Sequence, residues 1–238
     1  PSRMSATRLP GKPLLKINNL PIISHVYNKA ASTNIGEVFV CTEDQEIVDE
    51  VKKNGGKAVL TGKHHKTGSD RIFEALKKLK IKNVDYILNL QGDEPDIDIN
   101  DIINLNSLMI KNNTDIGTLA SVIKDVSSLN NENIVKVITK DKLINNNFPI
   151  ALNFERKILT SDKANTYHHI GVYLYKTEVL KKFINLDQTK NEKNNNLEQL
   201  RAIDNGLKIN IALAKYSPIG VDTEEDYLAI KKIMEYKS

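Results

Sequence analysis

Three cations, Arg3, Arg8 and Lys12, fall within the opening segment Pro1-Ser2-Arg3-Met4-Ser5-Ala6-Thr7-Arg8-Leu9-Pro10-Gly11-Lys12-Pro13. Its prolines and Gly11 disfavour a helix or a ladder strand, so a loop is expected. A loop with cations, hydroxyls and small residues offers a polyanion such as a triphosphate charge neutralisation, donors and close backbone approach. It is not a Walker A loop: Ala6 stands where that motif needs its first glycine, and Pro13 replaces the Ser/Thr after Lys12. On composition alone, a solvated basic tail is the rival.

Two acidic clusters could hold a hard cation. In Gln91-Gly92-Asp93-Glu94-Pro95, an acid follows a glycine at the end of an apolar run, where open α/β sheets bind ligands. A polar turn is the equal alternative. Taken alone, Asp222, in Gly220-Val221-Asp222-Thr223-Glu224-Glu225-Asp226, reads as a helix cap, with Thr223 the other cap candidate and the acids that follow complementing the helix dipole. Paired with Asp93, it could complete a Mg²⁺ site, since that ion takes one or two carboxylates plus phosphates and waters.

His64-His65-Lys66-Thr67-Gly68-Ser69-Asp70-Arg71 enters a helix whose N-terminus could bind an anion, with Arg71 adding a bidentate grip. The plainer reading has Ser69 as the cap and Arg71 exposed. His168-His169 and Glu198-Gln199 suit a polyhydroxylated ligand; the His pair has no matching cysteines or spaced histidines for zinc. No Ser-His-Asp constellation is evident.

These residues must be positioned by alternating strands and helices. Strands are expected at Glu37–Thr42, Lys57–Thr61 and Tyr86–Leu90, with helices capped by Asp44, from about Ser69, and over Ile99–Ile110. Further strands are expected at Ile116–Ile123, Ile134–Thr139, Ile170–Tyr175 and Lys208–Ala214. Helices are expected at Thr177–Ile184, Leu197–Asn205 and Glu224–Tyr236, and the Asn/Lys-rich stretch Asn185–Asn196 as a mobile loop. The expected class is α/β: a mostly parallel, helix-covered, Rossmann-like sheet with a smaller strand-rich insertion in the second half. Residues 1–238 read as a single domain whose first strand would lie upstream of Pro1.

The 238 residues suffice for a substantial core, and 40% hydrophobic with 27% charged residues is ordinary for a globular chain. A net charge of +4 without a long basic tract gives nucleic-acid binding little support. The one cysteine, Cys41, reads as core and excludes an intramolecular disulfide. No apolar run reaches membrane-spanning length, and a cytoplasmic location is expected.

Together the motifs resemble the 3-deoxy-manno-octulosonate (Kdo) cytidylyltransferases, relatives of the CMP-sialic acid synthetases, over nearly the whole chain. The carriers are the segment Arg3–Pro13, Thr67-Gly68-Ser69-Asp70-Arg71, Asn89-Leu90-Gln91-Gly92-Asp93-Glu94-Pro95, His169-Ile170-Gly171-Val172-Tyr173, Leu197-Glu198-Gln199-Leu200-Arg201 and Gly220-Val221-Asp222-Thr223. The resemblance implies transfer of CMP from CTP to the anomeric hydroxyl of a 3-deoxy-2-ulosonic acid, with release of pyrophosphate, for lipopolysaccharide assembly. It implies that Arg3, Ser5, Arg8, Lys12 and Arg71 serve the nucleotide, with Lys12, Asp93 and Asp222 catalytic. Asp93 and Asp222 would hold Mg²⁺, and Gln91, His169, Tyr173, Glu198 and Gln199 the sugar acid. A homodimer is implied as well.

One segment departs. After the strand near Val135–Thr139 the family commonly carries Tyr-Phe-Ser-Arg, whose Arg suits a sugar carboxylate, whereas Leu143–Ile150 holds no Arg and Arg156 is the nearest. The alternatives are therefore a cytidylyltransferase for 8-amino-Kdo or a sialic-acid-like substrate, and a nucleotide-binding homologue without turnover.

Overall fold

The alternation read from the sequence runs through a computed structural model describing residues 1–5, 8–158 and 164–236. In chain order the elements are β1 (Lys16–Ile17), β2 (Leu20–Pro21), α1 (Ile22–Ser32), β3 (Val40–Thr42), α2 (Gln45–Lys53), β4 (Ala58–Leu60), α3 (Gly68–Leu79), β5 (Tyr86–Asn89) and α4 (Ile99–Asn112). Then follow β6 (Ile116–Ser121), β7 (Lys136–Thr139), β8 (Ala151–Glu155), β9 (Thr166–Lys176), α5 (Thr177–Ile184), α6 (Lys190–Asn195), α7 (Gln199–Asp204), β10 (Ile209–Leu213) and α8 (Glu224–Tyr236). Two compact units emerge: Pro1–Asn83, Asn89–Asn100 and Pro218–Ser238 form one, and Val84–Leu88 with Asp101–Ser217 the other.

In the first unit, Asn18 (φ 48°) and Asn19 (φ 61°) form the two-residue turn joining antiparallel β1 and β2. Asparagine tolerates the left-handed region that such a hairpin demands. The β3 and β4 strands pair in parallel, Val40 opposite Ala58 and Thr42 opposite Leu60. Ile47, Val48 and Val51 line the buried face of α2, and Ile47 and Val51 pack with Ile23 and Val40. Ile230 of α8 joins Ile17, Ile22 and Val221 in a second cluster. Gly92 allows a close approach: a Cβ there would lie 2.9 Å from Ile23 Cδ1 and 3.0 Å from the Pro1 carbonyl.

The second unit carries a six-stranded sheet in the order β10-β6-β9-β7-β8, with β5 also beside β9. The α/β class holds, and the sheet is mixed: β10 and β6 run parallel, while β6/β9, β7/β9 and β7/β8 are antiparallel. A bulge at Thr118/Leu119 interrupts the β6/β9 register.

The stretch expected as a mobile loop, Asn185–Asn196, instead contains α6. Thr189 and Glu192 form a capping box there, and Glu192 is buried. Its carboxylate takes Arg201 Nε at 2.9 Å and Nη2 at 2.6 Å, bidentate, and the guanidinium stacks 4.9 Å from the Phe183 ring. Burial raises the Glu192 pKa, but the Arg201, Gln188 and Thr189 bonds outweigh it and hold the carboxyl below its usual value. A carboxyl depressed in the fold gives stability that is present above its unfolded pKa and is lost as pH falls through the folded one. Breaking one side of such a pair costs about 3–5 kcal/mol, whereas an apolar replacement of both is near neutral. In urea unfolding at neutral pH, Glu192→Ala should lose about that much. Glu192→Leu/Arg201→Met should recover most of it, and its deficit to wild type should shrink in acid.

Candidate nucleotide and metal site

A lysine with three acceptors organises the first unit's polar centre. Gly11 (φ 74°) turns the opening loop into a short 3-10 turn over Lys12–Leu14, and Gly11 N–H donates to the Met4 carbonyl at 3.1 Å. Lys12 Nζ then donates to Asp93 Oδ2 at 2.5 Å, Val221 O at 2.8 Å and Asp222 Oδ1 at 3.1 Å. An ammonium has three protons, so its donors are all used. Arg8 Nη2 reaches the other Asp222 oxygen at 2.8 Å, and Val221 N–H donates to Asp93 O at 2.9 Å.

Burial pulls the Lys12 pKa down, but Asp93 and Asp222 outweigh it and raise it above the ordinary lysine value. Next door, Glu94 is pushed up to about 8, by burial first and then by the charges of Asp93 and Asp222. Its Oε2 is buried without a hydrogen-bond partner among the described residues. The cluster sets the carboxylates of Asp93 and Asp222 against the side chains of Lys12 and Arg8.

Lys12, Arg8, Asp93 and Asp222 border a cavity of about 390 Å³ with Arg3, His65, Lys66, Arg71 and Gln91 also in its wall. Five cationic side chains (Arg3, Arg8, Lys12, Lys66 and Arg71) outnumber its two carboxylates, as a polyphosphate site requires. Ser5 is exposed and outside the cavity lining; Ala6 and Thr7 of the same segment lie outside the described residues.

Thr67, not Ser69, caps α3, accepting from Asp70 N–H. Arg71 is buried rather than exposed: it donates to Thr61 Oγ1 at 2.7 Å and to the Gly62 carbonyl, and pairs with Glu43. Asp44 begins α2 without a side-chain cap, and its carboxylate accepts Met4 N–H of the loop at 2.7 Å. Thr223 caps α8, its hydroxyl accepting Asp226 N–H while Asp226 accepts Thr223 N–H. Asp222 stays outside the helix, facing Lys12 and Arg8. Lys66, Glu43 and Glu94 were missed as members of the site. Lys66 borders the Thr67–Arg71 motif and was findable; Glu43's partner is 28 residues away and was not.

The residues expected at the sugar lie in the second unit, apart from Gln91, whose Nε2 donates to Asn89 Oδ1 at 3.1 Å. Thr118 at the β6 bulge approaches the carbonyls of Val172 at 2.6 Å and Ile170 at 3.1 Å, and His169 Nε2 at 3.1 Å. Its single proton goes to the nearer Val172 oxygen, so the hydroxyl accepts from an Nε2–H tautomer of His169, assigned from this network. His169 lies 5.4 Å from the Tyr173 ring. The Tyr173 hydroxyl is buried with no hydrogen-bond partner among the described residues, and burial, Tyr175 and Glu198 raise its pKa well above the usual value. A buried hydroxyl left unsatisfied costs about 1–3 kcal/mol, which a polar ligand would relieve. Gln199 is buried on α7, with Glu198 just before it.

The departure near Asn145–Pro149 resolves differently from expectation. The strand following β7 is β8, and it leads into Arg156, so an Arg does follow the next strand, in Asn153-Phe154-Glu155-Arg156. Arg156 donates to the carbonyls of Asn195, Glu132 and Asn196 at 2.9, 3.0 and 3.1 Å.

The cytidylyltransferase family profile matches residues 1–209. A 3-deoxy-manno-octulosonate cytidylyltransferase of Thermodesulfovibrio yellowstonii is 42% identical over 244 aligned positions, covering 98% of this chain and 96% of that protein. One of Nitrobacter winogradskyi is 40% identical, covering 98% and 92%. A solved CMP:2-keto-3-deoxy-manno-octonic acid synthetase complexed with CTP superposes with a TM-score of 0.90 at 32% identity, covering 100% of this chain and 97% of that one.

Burial, and secondarily His168, push the His169 pKa down to about 3. A histidine lowered below its unfolded value near 6.5 contributes stability that is full above that value and lost as pH falls through it. Imidazole NMR shifts of His169 should stay those of a neutral Nε2–H ring through mildly acidic pH. A titration near the ordinary histidine value would contradict the assignment.

Proposed function

The chain belongs to the cytidylyltransferase family, and on that premise we propose that it transfers CMP from CTP to the anomeric hydroxyl of Kdo, releasing pyrophosphate. The observation that carries this is the Lys12 junction with Asp93 and Asp222 in the wall of a cavity whose cations outnumber its carboxylates.

Attack on the α-phosphorus forms one P–O bond as the bond to pyrophosphate breaks, so the protein's part is positioning and charge neutralisation. Arg3, Arg8 and Lys12 take the triphosphate, with Ser5 beside it. To do so, Arg8 and Lys12 exchange carboxylate oxygens for phosphate oxygens, chemically similar partners for the same donors. Arg71, fixed by Glu43 and Thr61, shapes the nucleotide side instead of swinging to a phosphate.

Asp93 and Asp222 fit a divalent cation, since their hard oxygens already converge on one cation, the Lys12 ammonium. Mg²⁺ held there supplies polarisation of the α-phosphate. The sugar acid is assigned to Gln91, His169, Tyr173, Glu198 and Gln199, among which the buried Tyr173 hydroxyl offers an unused hydrogen bond.

A homodimer acting in the cytoplasm, early in lipopolysaccharide assembly, completes the reading. Among the described residues no helix is long and apolar enough to cross a membrane. The relatives named for this sugar acid, 42% and 40% identical over nearly the whole chain, favour Kdo over 8-amino-Kdo or a sialic-acid-like acceptor.

Pyrophosphate release measured with CTP, Mg²⁺ and a panel of these acids should show turnover with Kdo foremost. Asp93→Asn should lower kcat/KM by about 100-fold or more with the circular dichroism unchanged. Absence of turnover with every acid would overturn the proposal, and an unchanged rate in Asp93→Asn would remove that residue from the metal site.

A further inference from the structure

Beyond the reaction, the loop before α3 gathers His64, His65 and Glu74, each with a ligand atom within 4.8 Å of the others. Among the described residues it is the one such group of three. The two imidazole rings lie 4.2 Å apart, tilted by 42°, and His65 Nε2 contacts Glu74 Oε2.

The backbone of Gly62 holds this arrangement on both sides. Its N–H donates to Glu74 Oε1 at 3.2 Å and Oε2 at 3.0 Å. The His64 ring occupies the space that a side chain would need: a Cβ on Gly62 would lie 2.6 Å from His64 Nδ1. The Glu74 carboxylate is thus held by the Gly62 amide, Lys78 and His65 together. Lys78 takes Oε1 at 2.7 Å, leaving Oε2 to the histidine side.

We propose that His64, His65 and Glu74 form a binding site for a borderline transition-metal ion of the zinc class. Two imidazole nitrogens and one carboxylate suit Zn²⁺, Co²⁺ or Ni²⁺ and not Mg²⁺, which demands oxygens. Three protein ligands leave a fourth, open position for water. Tetrahedral zinc needs its ligand atoms about 3.3 Å apart, so the exposed His64 ring rotates inward while His65 Nε2 and Glu74 Oε2, in direct contact without the ion, move apart. At His65 the ion enters between Nε2 and Glu74 Oε2, and the ring proton moves to Nδ1 or to solvent. The Lys78 charge on Oε1 weakens the site without blocking Oε2. His65 also borders the cavity that holds Asp93 and Asp222, and this site takes a different class of ion from that pair.

The test is isothermal titration of the full chain with Zn²⁺ in excess Mg²⁺, with Co²⁺ visible absorption as a second readout of imidazole ligation. One equivalent should bind per chain, weakened at least about tenfold in His64→Ala and in Glu74→Gln. His64 is exposed, so its variant folds and decides the matter even where Glu74→Gln does not. Absence of stoichiometric binding, or binding unchanged in His64→Ala, overturns the proposal; the latter assigns the ion to other imidazoles.

Discussion

The Lys12 ammonium ties together three segments far apart in sequence: the opening loop, the turn after β5 at Asp93, and the approach to α8 at Val221–Asp222. Its side chain is only 12% exposed, and an ammonium so placed is tolerated only with its protons bonded and its charge balanced. Both conditions are met by Asp93, Asp222 and the Val221 carbonyl. The close approach at Gly92, the α8 cap that leaves Asp222 outside the helix, and the Gly11 turn that presents Lys12 all serve this junction.

The second unit answers a different demand, that of polar groups held inside a sheet. Thr118 at the bulge fixes the His169 tautomer, and Tyr173 keeps a buried hydroxyl for which the described residues supply no hydrogen bond. The Glu192–Arg201 pair secures α7, at whose start Glu198 and Gln199 sit. Arg156 ties backbone carbonyls at 132, 195 and 196 together. Buried polarity is thus bonded at Arg201, whereas Tyr173, Glu155 and Thr166 keep buried oxygens with no hydrogen-bond partner among the described residues.

Much of this was legible before any coordinates. Thr177–Ile184 and Glu224–Tyr236 match the observed helices because apolar spacing and flanking residues agree there. Gln91, Asp93 and the three cations were marked by residue type and by position at a strand end or a turn. What escaped depended on distant partners: Arg71 is buried because Glu43 and Thr61 receive it. The helix α6 escaped because Asn and Lys hid its pattern, although Thr189-Lys190-Asn191-Glu192 spells a capping box. The β1–β2 hairpin likewise had its signal in Asn18-Asn19. The strand β8 is hidden for a similar reason: only its ladder with β7 marks it as a strand.

The central claim is that the cations of the opening loop leave Asp93 and Asp222 to hold a triphosphate, freeing the two carboxylates for a metal ion. A crystal structure of the full chain with Mg²⁺ and a CTP analogue that resists transfer tests it most directly. The account predicts phosphate oxygens on Arg3, Arg8 and Lys12 and the metal ion on Asp93 and Asp222. A complex with Lys12 still on both carboxylates and the triphosphate bound elsewhere would contradict it.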